Sequence, residues 1–548
     1  MMPGRGLAAD LHLPATLLAR YLFFLSRRPI SRSNQHYLAQ RLAGLQSLAP
    51  LLSGRGEPHL DRAAAELERL NPASFGHRVG ALEALLAPGL LREPPPDVVV
   101  AGSPPGPGFL DPVRRVTLIL GPAIGVGDEI LSFAAARWLR ARLPGAEIAV
   151  LTAYRGLWER VPEVDRVDFY ERFADLVEAI RGGSSDLVVL LDFEKPDLAA
   201  AVAFEPGVER YVEISLGAGS AAAYEAGARW LHRTDAAGPA LKGYYSRLER
   251  LLGWLGGEPE AAAGSCGAFF AGRSNGRPEG PATLLVSPFT SKQEPSLVYW
   301  SRLAAGLVPA SAAPRTRLRF DAGPNLATRR FAAALAEAVR AAAPAGLTVE
   351  VARGEAGLAE ALGEMERSDV VVASDSFAAH AAPMLGRAAL VVAQPGLADW
   401  RVPAPRSFYF EDTQPLPGIA AGMRQVLVAA GLFNGMPRPW SPPAGRRLVA
   451  ATRAFRAGLS NGPGALTRCY EDLGQAVRGV VAGLGHWPRE LEAVLADRPY
   501  AQLLPPLAPG AGEDGRGEAD LRLHLRGRFE EWENSNILKY LALLEEMH

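Results

Sequence analysis

This 548-residue sequence predicts an α/β protein with two doubly wound halves, each a parallel sheet flanked by helices. Three observations carry that expectation. Short continuous apolar runs alternate with helical stretches, the alternation occurs twice, and Pro/Gly-rich joints separate the two series. The joints are Pro88 to Pro112, Gly256 to Pro281, Asn434 to Gly445 and Pro505 to Gly517.

In the first half, Val116 to Leu120 is apolar without alternation, as a strand buried on both faces should be. It leads through Gly121-Pro-Ala-Ile-Gly125-Val-Gly127 into a helical stretch from Asp128 to Leu143. Further strands are expected at Glu147–Leu151, Val167–Tyr170 and Asp186–Leu191. In the second half the runs are Thr283–Ser287, Arg317–Phe320, Leu347–Val351, Asp369–Ala373 and Ala389–Val392. Helices are expected between them at Ser296–Leu307, Asn325–Ala343, Glu355–Arg367 and Phe377–Leu385. Strands alternating with helices imply βαβ units, and two such Rossmann-like halves imply two lobes facing a cleft. Ligands of open α/β sheets bind in the crevice outside the carboxyl ends of the strands.

The flanks read differently. Leu60, Ala63, Ala64, Leu67 and Leu70 recur at helical spacing, as do Ile537, Leu538, Leu541 and Leu544. The expected organisation is a helical N-terminal domain (1–90), two Rossmann-like domains (113–255 and 282–432) and a helical C-terminal region (446–548).

Composition narrows the function. Lys+Arg 58 against Asp+Glu 59 leaves a formal net charge of -1, and no local basic block exists to displace counterions from nucleic acid. Cys266 and Cys469 stand alone without a CxxC, which excludes a disulfide framework or a zinc ribbon. The nine histidines form no HxH or HExxH pair, so no metal site is expected. No stretch approaches the ~20 apolar residues of a spanning helix. The run Leu17 to Leu25 is interrupted by Arg20, and no secretory leader is evident. A soluble, cytoplasmic protein is the expectation.

Three constellations could carry chemistry. The glycine-rich turn Gly121 to Gly127 lets backbone approach a ligand and ends at Asp128. It is not G-x-G-x-x-G, which excludes a dinucleotide fingerprint. Asp128 also suits a helix N-cap, with Glu129 in the first turn. After the first strand of the second half, Thr290, Ser291 and Lys292 offer two hydroxyls and a point charge suited to a phosphate, although such a motif in isolation is more often a loop with a solvated lysine. The third is Ser368-Asp-Val-Val-Val-Ala-Ser-Asp375-Ser376-Phe377-Ala-Ala-His380. There a buried strand delivers Asp375 and Ser376 to a helix start, where an anion is favoured. His380 lies about one turn further on, where it either faces the same crevice or packs in the core.

In order and spacing these motifs resemble the B-type (GT-B) glycosyltransferase family 9, that of the ADP-heptose:lipopolysaccharide heptosyltransferases. Leu120 to Asp128 is similar to that family's L-G-[AS]-[IL]-G-D loop with an insertion near Val126-Gly127, and Ser287 to Lys292 to its phosphate-binding loop. Ser368 to Ala382, followed by Leu385-Gly386, is similar to A-D-[LV]-V-[VI]-[GS]-x-D-[ST]-G-x-x-H-[LI]-A. Pro395 to Pro403 resembles the loop before the last strands. The resemblance covers about residues 114–430. Phe377 stands where the family has glycine, and Gln293-Glu294 replace the usual K-x-W continuation.

The resemblance implies GT-B architecture and inverting, metal-independent transfer of a sugar from a nucleotide-sugar donor, by default ADP-heptose, with no cofactor. Asp128 would be the base. Thr290, Ser291, Lys292 and the amides near Ser376 and Phe377 would hold the diphosphate, with Asp375 on donor hydroxyls and His380 beside them. The acceptor stays open between a protein or peptide, a small molecule and a glycolipid, and the helical flanks would grip an acceptor or build a homo-oligomer. Two other readings stand: a catalytically degenerate scaffold that binds a nucleotide or partner protein, and a nucleotide-sugar epimerase.

Overall fold

A computed structural model describes residues 9–26, 32–89, 108–120, 126–183, 185–191, 211–214, 231–233, 244–256, 266, 280–290, 295–323, 326–352, 357–394, 401–433, 443–458, 463–483, 525 and 535–546. The chain divides into two compact units. The first comprises Met1–Ala236 and Arg250–Pro259, the second Ala237–Glu249 and Glu260–His548.

The sheet of the first unit contains β1 (Arg115–Leu120), β2 (Glu147–Thr152), β3 (Arg166–Phe169), β4 (Leu187–Leu191), β5 (Tyr211–Ile214) and β6 (Leu231–Arg233) in the order β3-β2-β1-β4-β5-β6. All its pairs are parallel. Every residue of central β4 is buried, which is why its sequence is apolar without alternation. Five helices precede the sheet: α1 (Ala9–Ser26), α2 (Arg32–Gln46), α3 (Ala49–Leu52), α4 (Pro58–Glu68) and α5 (Phe75–Leu86). They do not build a core of their own. Leu17, Tyr21, Leu42, Leu67 and Leu82 share one apolar cluster with Ile119, Leu151, Val188 and Leu190 of the sheet. The same cluster includes Phe173 and Val177 of α9 (Phe173–Gly182), and the Tyr21 and Phe173 rings meet edge to face at 4.6 Å. Between β1 and β2 run α6 (Val126–Leu131) and α7 (Phe133–Arg142), and α8 (Arg155–Trp158) follows β2. The expected single helix from 128 to 143 is thus two helices, starting two residues earlier.

The second unit repeats the plan. Its strands are β7 (Ala282–Ser287), β8 (Thr316–Phe320), β9 (Thr348–Val351), β10 (Val370–Ser374), β11 (Ala388–Ala393) and β12 (Ser407–Glu411), ordered β12-β11-β10-β7-β8-β9 with parallel pairing throughout. The first sheet has the order 3-2-1-4-5-6, in which the direction of winding reverses between strands 1 and 4. In the second sheet the same kind of junction lies between β7 and β10, the first and fourth strands of that unit. An aspartate stands before the fourth strand of each. Asp186 accepts the N–H groups of Arg114 and Arg115 at 2.8 and 2.9 Å, and Asp369 accepts that of Thr283 at 2.7 Å. Asp369 is therefore structural and lies at the end of its sheet opposite Asp375.

Helices α11 (Leu297–Leu307), α12 (Leu326–Ala342), α13 (Leu358–Glu366), α14 (Phe377–Met384) and α15 (Leu416–Ala429) accompany this sheet; α10 (Tyr244–Leu255) precedes it. Ser296 caps α11 by accepting from the Tyr299 N–H. The C-terminal helices α16 (Pro443–Gly458), α17 (Pro463–Gly483) and α18 (Asn536–Glu546) share the sheet's core through Leu448, Phe455, Leu473, Val477, Ile537 and Leu541. At edge strand β12, the Asn536 amide closes the ladder: it accepts the Tyr409 N–H at 2.9 Å and donates to the Tyr409 carbonyl at 2.6 Å. Lys539, 5% exposed, donates to the carbonyls of Val402 and Ser407. No helix among the described residues is long and apolar enough to cross a membrane.

Candidate functional site

Each unit places a candidate site at the carboxyl end of its sheet. In the second unit, β7 and β10 are the neighbours at which the winding reverses, and both carry residues singled out in the sequence. Two hydrogen bonds join the loops after these strands. Thr290 Oγ1 donates to the Asp375 carbonyl at 3.2 Å, and Ser374 Oγ to the Phe289 carbonyl at 3.0 Å. The Asp375 N–H donates to Val392 O of β11 at 3.1 Å, which sets the turn between β10 and α14. Ser376 has extended backbone before the first turn of α14, and its buried hydroxyl finds no hydrogen-bond partner among the described residues. Phe377 is half-buried at the first helical position. His380 is only 7% exposed and lies among Ala378, Ala379, Ala381 and Ala382, which are wholly buried, so α14 has no solvated face around it.

The neighbouring strand end was not expected. Ser287 Oγ donates to Asp321 Oδ2 at 2.8 Å, tying the ends of β7 and β8 together, and Asp321 Oδ1 accepts the Gly323 N–H at 3.1 Å. Gly323 has φ +67, and a Cβ there would stand 2.5 Å from Thr328 and 3.0 Å from the Phe289 ring. Only glycine fits that turn. The Asp321-Ala-Gly323 sequence after a strand was the available signal. Burial first, then the charge of Asp375, holds the Tyr409 phenol well above its ordinary range. Arg401 lies over the Tyr409 ring at 5.4 Å. Asp375 therefore brings negative charge, and Arg401 positive charge, to the same part of the sheet.

In the first unit, Gly127 and Asp128 belong to α6. Asp128 is the third residue of that helix and not its N-cap, because the helix starts at Val126. Glu129, early in the same helix, is 1% exposed. Its carboxylate accepts from Thr152 Oγ1 at 2.9 and 2.6 Å and from Trp158 Nε1 at 2.8 Å. Thr152 closes β2, and its Oγ1 accepts the Tyr154 N–H at 2.9 Å. Tyr154 Oη in turn accepts from Arg41 of α2 at 2.6 Å. Burial first, then the nearby Glu129 charge, pushes the Tyr170 phenol well up. Gly121, Gly125, Ser291, Lys292 and the Asp128 side chain lie outside what the structure describes. The structure thus brings Thr290 and Asp375 together and sets Ser376, Phe377 and His380 on the same turn and helix.

No protein-family model matches the sequence, and no curated protein matches it. Solved structures similar to the chain include glycosyltransferases. The glycosyl transferase family 9 protein from Veillonella parvula DSM 2008 is 15% identical, with 55% of this chain and 88% of that chain covered at a TM-score of 0.40. E. coli ADP-heptose lps heptosyltransferase II is 17% identical, with 54% and 89% covered at a TM-score of 0.38. E. coli heptosyltransferase WaaC with ADP is 16% identical, with 58% and 98% covered at a TM-score of 0.39.

Proposed function

We propose that the protein is an inverting glycosyltransferase that moves a sugar from a nucleotide-sugar donor to an acceptor hydroxyl without a metal ion. The donor that the sequence resemblance favours is ADP-heptose, and the acceptor class it leaves open includes a protein or peptide and a glycolipid. The observation that carries this reading is the joined pair of loops after β7 and β10. They belong to the motifs of the resemblance, lie where a doubly wound sheet binds ligands, and are fastened by the Thr290 and Ser374 hydrogen bonds.

In this reading, donor binding falls to the second unit. Lys292, Ser291 and Thr290, with the amides around Ser376 and Phe377, neutralise the diphosphate as it leaves. Donors fixed in advance stabilise such charge without reorganisation. The Ser376 hydroxyl, with no partner among the described residues, is a further donor for a phosphate oxygen. Asp375 accepts from donor hydroxyls. In the first unit Asp128 removes the proton of the acceptor hydroxyl as its oxygen attacks the anomeric carbon.

The test is release of nucleoside diphosphate from a panel of nucleotide sugars in the presence of candidate acceptors. Wild-type turnover that falls at least about 100-fold in Asp128→Ala is the expected result, in line with the usual worth of a general base. Turnover unchanged in Asp128→Ala removes that residue as base. A wild type that binds nucleotide and turns over no donor favours the scaffold reading, to which the bulk of Phe377 at a glycine position also points.

A further inference from the structure

The polar chain beneath α6 gives the N-terminal helices a task. Helix α6 has six residues, too few to hold itself, and the sequence before it is rich in glycine. Its orientation must come from side-chain contacts. Apolar contacts, as at buried Ile130, fix distance better than rotation. Glu129 differs, because its two carboxylate oxygens receive donors from two separate elements, Thr152 at the end of β2 and Trp158 of α8. A carboxylate this buried persists only when donors replace its water, so the arrangement is specific to Glu129 in this place.

The chain of contacts does not stop there. The same Thr152 hydroxyl accepts from the Tyr154 amide, and the Tyr154 hydroxyl accepts from Arg41, whose guanidinium also lies 5.8 Å from the Tyr154 ring centroid. Hydrogen bonds therefore run from α2 through the end of β2 to the residue immediately after Asp128.

We propose that Glu129 is a positioning residue for sugar transfer: it locks α6 onto β2 and α8, and the Arg41–Tyr154 pair extends that lock to the helical flank. This rests on the assignment of Asp128 as the base. Misplacing a reacting group by about 1 Å is enough to cost about 100-fold in rate. Glu129 touches neither donor nor acceptor in this account, and acts only through the backbone that carries Asp128.

The experiment compares Glu129→Ala, Glu129→Gln and Tyr154→Phe in the full chain. It uses steady-state transfer from the donor found active and hydrogen exchange of the amides of residues 126–131. Glu129→Ala should lower kcat by about 10- to 100-fold with donor KM within about twofold, because donor binding is assigned to the second unit. Exchange at 126–131 should rise at least about tenfold while β1 and β2 keep wild-type protection. Glu129→Gln, which keeps one acceptor oxygen, should fall between, and Tyr154→Phe should shift both readouts less in the same direction.

Wild-type kcat in both Glu129 variants overturns the proposal, as does a change confined to KM. Should Glu129→Ala fail to fold, Glu129→Gln and Tyr154→Phe decide by the same criteria. Should the wild type transfer no sugar from any donor, the glycosyltransferase reading fails by itself. The lock is then judged on exchange, and unchanged exchange at 126–131 in Glu129→Gln overturns it. Full transfer by Asp128→Ala removes the base assignment and the positioning role with it, whatever the exchange result.

Discussion

Replacing Asn536 with leucine should unfasten the edge of the second sheet. Asn536 is fully buried and bonds both the N–H and the carbonyl of Tyr409 on the outer side of β12. Leucine has the same number of side-chain heavy atoms and neither a donor nor an acceptor. Both backbone groups would then be unpaired beneath α18. Each unsatisfied buried group costs about 1–3 kcal/mol, so two together cost about 2–6 kcal/mol. Because the chain has two compact units, a single unfolding free energy is not the right readout. Hydrogen exchange resolves the effect, since every 1.4 kcal/mol is about tenfold in an equilibrium constant. Amides of 407–411 should exchange at least about 25-fold faster, while those of β1 and β2 in the first unit stay as in wild type. A change under about twofold at 407–411 would mean that the edge is satisfied without the Asn536 amide.

Other outcomes rest on the same kinds of contact. Gly323→Ala forces a Cβ into left-handed backbone and against Thr328 and Phe289, and should destabilise the second unit by at least about 1–2 kcal/mol, seen as hydrogen exchange at least about fivefold faster at 316–320. Asp375→Asn should weaken nucleotide-sugar binding at least about tenfold by calorimetry, since its side chain is assigned to the donor hydroxyls. Burial, helped by the Asp412 charge, raises the Tyr299 phenol from 10 to about 12. The folded chain then holds that proton after the unfolded chain has lost it, so stability should fall as pH rises from about 10 towards 12. Tyr299→Phe should flatten that part of the alkaline curve.

The division between what was legible in the sequence and what was hidden has a physical pattern. Central strands announce themselves because burial on both faces demands unbroken apolar runs, as in Leu187–Leu191 and Val370–Ser374. The strands β5, β6 and β12 were missed. The first two have four and three residues, and β12 relies on Asn536, 127 positions away, which no local pattern reveals. In the candidate site, Thr290, Asp375 and Ser376 stood out in the sequence because they closely follow such strands. Asp321 was missed because its bond to Ser287 spans 34 residues. Glu129 was visible, but its burial was not. Its partners Thr152 and Trp158 stand 23 and 29 residues on, so a buried carboxylate looked like an ordinary first-turn acid. The helical flanks gave no hint that their apolar faces complete the cores of the two sheets.

The most direct measurement is a calorimetric titration of the wild-type chain with ADP- and UDP-sugars, followed by hydrogen exchange on the complex that binds. At least one nucleotide sugar should bind saturably, with new protection at 286–290 and 374–380, the segments at the carboxyl ends of β7 and β10. Binding by none of them, or protection that leaves both segments unchanged, would contradict the donor-site assignment.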